Sequence, residues 1–190
     1  ICFLDNVDIP YTSNDVESTD LRGAENVVIN LSKELFKLGN KISVFNNNRQ
    51  NSIINGNQAF SGGGVSISEY STLTFDEVII EQNTATSWGG GIHAAARGYN
   101  ISNVVIRGNT GTNAGGGLFL VDNSYNMQNV IIEDNLSGTG GGIYCVSANL
   151  NIALSSIINN TSFNQGGGIL FMEPNHLNII NSLIANNTAS

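Results

Sequence analysis

Apolar and polar residues alternate along most of this chain in short runs, punctuated by asparagine and glycine. "GVSIS", "GIHAAA", "GLFLV", "GIYCVS" and "GILFM" each follow a glycine triplet, and "VIIEQN", "VVIRGN", "VIIEDN" and "SIINN" each close on asparagine. Isoleucine and valine enrichment with a period of two predicts strands, and no helical period competes over residues 52–190. The triplets begin at Gly62, Gly89, Gly115, Gly140 and Gly166, 25–27 residues apart. Five or six residues before each stands an asparagine: Asn57, Asn83, Asn109, Asn135 and Asn160, with Asn187 opening a further copy. Three residues before each asparagine is an isoleucine: Ile54, Ile80, Ile106, Ile132, Ile157 and Ile184.

A unit of about 26 residues holding several strands predicts a coil that climbs one strand spacing, ~4.8 Å, per turn. The expected fold is therefore all-β, a right-handed parallel β-helix of about five rungs, roughly 25 Å tall. The isoleucines become one inward column. The glycines supply positive φ and close backbone approach at a corner that stacks on itself. The asparagines fit the same corner, because Asn tolerates left-handed backbone and its amide can donate up the column.

These repeats resemble those of the polymorphic outer-membrane proteins, bacterial surface β-helix proteins with paired Gly-Gly-[Ala/Gly]-Ile and Phe-x-x-Asn motifs. Triplets at 62–64, 89–91, 115–117, 140–142 and 166–168 match the first motif. Ile-x-x-Asn at 54–57, 80–83, 106–109, 132–135, 157–160 and 184–187 resembles the second, with isoleucine in place of phenylalanine. The resemblance covers about residues 52–190 and implies the fold and a surface or secreted location. It does not fix an activity, since β-helices serve as adhesins, autotransporter passengers and polysaccharide lyases alike.

Residues 1–48 are of another design and form a separate segment ahead of residues 49–190. Four of the seven basic residues, Arg22, Lys33, Lys37 and Lys41, lie there. "ICFLD" and "KISVFN" read as strands around an amphipathic helix, with Val28, Leu31, Leu35 and Leu38 on one face. Glu25 suits its first turn and Gly39 its end. This predicts a short βαβ unit. "RGAENVVINLSKELFKLGNKISVF" is similar to the start of the N-terminal domain of glycosyltransferases with two Rossmann-like halves. That family's loop usually reads Gly-Gly-Ala-Glu and approaches the donor sugar nucleotide. Gly23, Ala24 and Glu25 match it, with Arg22 at the first glycine's place. The nucleotide-binding half is missing, so the segment reads as an incomplete glycosyltransferase-like piece. A chain that starts at Ile1 and stops within a repeat, "IANNTAS", reads as a fragment or a joined frame, with an uncapped C-terminal end. The leucine face of the helix is expected to pack on the first rung around Ile53–Val65.

Charge and candidate chemistry narrow the function. Fifteen acids against seven basic residues give a net charge of -8, which opposes binding to a nucleic-acid backbone. No apolar run is long enough to cross a membrane as a helix. Cys2 and Cys145 form neither a disulfide framework nor a zinc site and are expected to be buried small hydrophobes. A β-helix lyase needs clustered carboxylates for calcium and a basic residue. Glu69, Asp76, Glu77, Glu81, Asp122, Glu133, Asp134 and Glu173 show no metal-ligand cluster. Glu81, Arg107 and Glu133 read as a solvated ladder alternating in sign. His93 and His176 are read as surface or wall residues rather than metal ligands, and calcium-binding nonapeptides are missing.

Threonines at 84, 86, 110 and 112 suggest a small ladder that Leu136 interrupts and Thr161 and Thr188 resume. Trp88, Tyr70, Tyr99, Tyr125 and Tyr144 are expected to be scattered surface aromatics outside one column. The reading is a non-enzymatic, adhesin-like β-helix of a bacterial surface or secreted protein, using no cofactor and no metal, with carbohydrate or a host or cell-surface protein as partner. The alternatives are an inactive, cytoplasmic glycosyltransferase remnant and a polysaccharide lyase-like enzyme.

Overall fold

The computed structural model describes residues 52–67, 73–95, 99–173 and 176–190. The βαβ segment expected over residues 1–48, and the docking of its helix, lie outside the described residues. Among these residues every element is a strand. The chain winds into a parallel β-helix of about five rungs, with three sheets for walls. Parallel strands cannot be joined by hairpins, and the 25–27-residue repeat supplies the long crossover that each pairing needs.

The first sheet holds the longest strands, Tyr99–Arg107 and Ser124–Glu133. The second runs through Gln58–Ser61, Thr84–Trp88, Thr110–Ala114, Leu136–Thr139, Thr161–Ser162 and Thr188–Ala189. The third, after the glycine triplets, stacks Val65–Ile67, Ile92–Ala94, Leu118–Val121, Ile143–Val146 and Ile169–Met172. Register holds to the residue. Ile54 pairs with Ile80, Ile80 with Ile106, Ile106 with Ile132, Ile132 with Ile157, and Ile157 with Ile184. Ile80, Ile106, Ile132 and Ile157 are fully buried, each such burial worth roughly 1.5–3 kcal/mol. Val104 with Val130 and Leu118 with Ile143 continue the same interior from the first and third sheets. Ile184, in the last turn, is 44% exposed.

Corners follow from left-handed residues repeated at equivalent points. The first glycine of every triplet has φ of 63–67°. The second would set a side-chain carbon against the carbonyl of the next rung's middle glycine, as at Gly63, Gly90, Gly116 and Gly141. The third lies under the next rung's ladder asparagine; at Gly64, Gly91, Gly117 and Gly142 a Cβ would stand 2.6–2.8 Å from the neighbouring glycine's carbonyl oxygen. One triplet thus answers three demands: a positive φ, a backbone contact and a side-chain contact. The entropic cost of three glycines is met by closing the rungs to this distance.

At the corner before the second sheet the structure corrects one expectation. The ladder asparagines are not left-handed. The residue before each is: Gly56, Gln82, Gly108, Asp134, Asn159 and Asn186. The asparagine is held for its amide instead. A further turn within the first sheet repeats the left-handed backbone at Glu77, Asn103, Asn129, Leu154 and Asn181.

Candidate binding surface

Inside the corner, the asparagines form a continuous amide ladder. Asn83 Nδ2 donates to Asn109 Oδ1 at 3.0 Å and back to the Ile54 carbonyl at 2.9 Å, while the Asn83 backbone N–H donates to the same Asn109 Oδ1. Asn109 repeats the set with Asn135 and Ile80, Asn135 with Asn160 and Ile106, and Asn160 with Asn187 and Ile132. Asn57 donates into the first step. Asn83, Asn109, Asn135 and Asn160 are at most 1% exposed. Buried amides are tolerable because both their hydrogens and their oxygen are engaged. The ladder is structural, with no open valence facing a ligand.

The outer faces differ in chemistry. On the first sheet, Asn126 donates to Asn100 at 3.2 Å and Asn151 to Asn126 at 2.9 Å, a second amide file exposed to water. Asn129 donates to Asn103, which donates to Asp76. Glu81, Arg107 and Glu133 share one file, as their spacing implied. Arg107 reaches Glu81 through Nε and one terminal nitrogen at 2.8 and 2.7 Å. With Arg107 half exposed, this pair is worth at most ~1 kcal/mol. On the second sheet, Thr84 pairs with Thr110, Leu136 breaks the file, and Thr161 and Thr188 resume it.

The aromatic residues overturn the expectation of scatter. Tyr99 and Tyr125 are buried and stack on each other inside the wall, centroids 5.4 Å apart. The single proton of the Tyr125 hydroxyl has the Val121 carbonyl at 2.7 Å and the Ala94 carbonyl at 3.1 Å as acceptors. Burial, reinforced by the Tyr125 hydroxyl, holds the Tyr99 phenol above its ordinary value. Outside, His93, Phe119 and Tyr144 occupy one register file of the third sheet, between Ser66 and Leu170. His93 lies over Phe119 at 5.3 Å and 15°, and Phe119 over Tyr144 at 5.0 Å and 3°. Trp88, from the neighbouring corner, stacks on both His93 and Phe119 at 6.3 and 5.8 Å, and Phe60 meets Trp88 edge-on at 6.1 Å. Phe60 and Trp88 are 69% and 40% exposed.

Sequence reasoning grouped Trp88 and Tyr144 with Tyr70, Tyr99 and Tyr125 as scattered aromatics and passed over Phe60 and Phe119. Aligning the second residue after each triplet, which gives Ser66, His93, Phe119, Tyr144 and Leu170, would have revealed the column.

His93 is a wall residue, as expected, and desolvation lowers its pKa from the ordinary value. Cys145 is buried and pushed up to about 12 by desolvation, the behaviour of a small core hydrophobe. Cys2, Tyr70, Gly23, Ala24 and Glu25 lie outside the described residues. Among the described residues no three His, Cys, Asp or Glu side chains gather where they could hold a metal ion, and no helix is long and apolar enough to cross a membrane.

Two stretches, residues 77–95 and 129–146, match the Chlamydia polymorphic membrane protein repeat. Each runs from the turn of the first sheet through Ile-x-x-Asn and the triplet to the third sheet. No curated protein and no solved structure gives a match. The similarity to a glycosyltransferase start finds no support in these comparisons. In these two rungs the chain carries repeats similar to those of polymorphic membrane proteins, wound as a parallel β-helix.

Proposed function

We propose that the chain is a rigid display scaffold of a bacterial surface protein, adhesin-like and non-enzymatic, that binds through its outer walls. The observation that carries this reading is the match of two separate rungs to a bacterial membrane-protein repeat, within a single register-locked solenoid. Such a solenoid suits a binding role. Its interior is filled by isoleucine and amide columns, which leaves chemistry to its outer files. Those files are short but held in register: amides on one wall, threonines interrupted by Leu136 on the second, aromatic rings on the third. Extended surfaces of this kind are how solenoids engage partners.

The test is location and adhesion together. Antibody raised against the chain should label intact cells that make it, and brief external protease should remove the label. The purified chain should compete with those cells for attachment. Labelling only after lysis would end the surface reading. With pectin or alginate and calcium, unsaturated-uronide absorbance should not develop; its appearance, and its loss on Glu133→Gln with Asp134→Asn, would replace the scaffold with a lyase.

A further inference from the structure

The outward face of the third sheet carries no Asp, Glu, Lys or Arg in its strands, its polar groups being those of Ser66, His93 and Tyr144. Beside the His93–Phe119–Tyr144 file runs a second outward file of Val121, Val146 and Met172. Phe60 and Trp88 extend the stripe around the corner. A contiguous exposed apolar stripe on a folded surface marks a place where something binds. Here the stripe also has a repeat. Centroids 5.0 and 5.3 Å apart with nearly parallel planes mean the rings overlap as offset shingles, half-buried, with their outer rims toward water. They form a staircase of one ring per rung, rising by about one strand spacing, ~4.8 Å.

That rise selects among occupants. It is close to the advance per unit of an extended β-1,4-linked pyranose chain, whose sugars present flat faces of C–H groups to aromatic rings. An added β-strand is not accommodated, because the backbone of this sheet is already spent on neighbouring rungs. An anionic polymer is disfavoured by the net charge of -8, and Arg107 is engaged with Glu81 on another wall. Tyr144 brings a phenolic hydroxyl to the ring edges, where sugar hydroxyls would sit. We propose that the staircase of His93, Phe119 and Tyr144, with Trp88 beside it, binds a neutral, extended β-1,4-linked glycan laid along the solenoid axis. This rests on the reading of the chain as a surface binding scaffold and names its ligand class.

Trp88 is the chain's sole tryptophan and sits in the stripe, so its emission reports occupancy directly. The full chain is titrated with cellohexaose and chitohexaose, following Trp88 fluorescence and heat. Maltohexaose and a hexagalacturonate serve as α-linked and anionic controls. At least one β-linked hexamer should saturate the signal, about tenfold more tightly than its dimer, with neither control binding. Phe119→Leu keeps apolar bulk but removes the aromatic ring from the middle of the file, and should weaken binding about tenfold, the scale of one aromatic contact, while the melting temperature stays near that of the parent. Silence with both β-linked hexamers overturns the proposal, as does unchanged affinity in Phe119→Leu. So does self-association in sedimentation that Trp88→Ala abolishes, since the stripe would then be a contact between copies. Cell-surface labelling separates the two levels. Surface exposure without glycan binding sinks only this inference, and glycan binding by a chain found only inside cells sinks only the surface reading.

Discussion

Removing one side chain from the middle of the amide ladder tests the account of what holds the rungs together. Asn109→Ala deletes two bonds that Asn109 donates, to Ile80 O and Asn135 Oδ1, and two that it accepts from Asn83. The losses are unequal. Asn135 Oδ1 keeps the Asn109 backbone N–H, and Asn83 Nδ2 keeps Ile54 O. The buried Asn83 backbone N–H loses the acceptor it uses in the ladder, a penalty of about 1–3 kcal/mol. The other bonds and the small void add to this, so the substitution should cost about 3–5 kcal/mol. Asn57→Ala, at the ladder's start, deletes one described bond, Asn57 Nδ2 to Asn83 Oδ1, and should cost about 1 kcal/mol. Denaturant titration of both variants, followed by far-ultraviolet circular dichroism, measures the difference. Asn109→Asp sharpens it. The carboxylate can accept from Asn83, but it sets negative charge against Ile80 O and Asn135 Oδ1. Its pKa should rise above the usual carboxylate range. Its deficit should therefore grow as pH rises through the unfolded value, about 3.9, and shrink on acidification. Equal costs for Asn109→Ala and Asn57→Ala would refute the claim that the ladder is cohesive.

The remaining predictions concern corners and core. Gly116→Ala would drive a Cβ into the Gly141 carbonyl oxygen and within 2.6 Å of that of Leu136, so the chain should fail to fold or unfold far more easily. Gly56→Ala meets nothing within 4 Å and should cost only the strain of its positive φ, about 1–2 kcal/mol, in the same titration. Leu154 holds φ of 52° where equivalent rungs use Asn103 and Asn129, and it is 56% exposed. Leu154→Asn should raise stability by about 0.5–1 kcal/mol, visible as a higher denaturation midpoint. The buried Cys145 thiol, neutral in the fold, should resist alkylation in a Cys2→Ser background until the protein is unfolded. Because its folded pKa is raised from 9.0 to about 12, stability should be level below pH 9 and fall as pH rises from there toward 12.

The solenoid was legible because its constraints repeat. The Ile-x-x-Asn spacing and the triplets recur in every rung, so each copy confirms the others. The aromatic stripe was hidden because its members share a register but not a residue type. Ser66, His93, Phe119, Tyr144 and Leu170 face water, where no packing partner enforces identity. Phe60 and Trp88 join through a corner where the register shifts between Ala59 and Ser61, so counting residues misplaces them. The left-handed site before each ladder asparagine was missed for a related reason. Glycine, glutamine, aspartate and asparagine all occupy that site among the six rungs, so no one residue type marks it. The outer amide file of Asn100, Asn126 and Asn151 was readable in principle, since each asparagine follows a Tyr or Leu at repeat spacing.

The inter-rung contacts at the triplets have a mechanical consequence. Tension along the solenoid axis passes through every interface in series, and because each rung touches only its neighbours the weakest can yield alone. A rung that detaches gives up ~4.8 Å of folded height and releases about 26 residues of chain, up to roughly 90 Å when extended. A molecule tethered at one end and gripping at the other would thus lengthen in steps under load, keeping the force on its grip below that of a rigid rod.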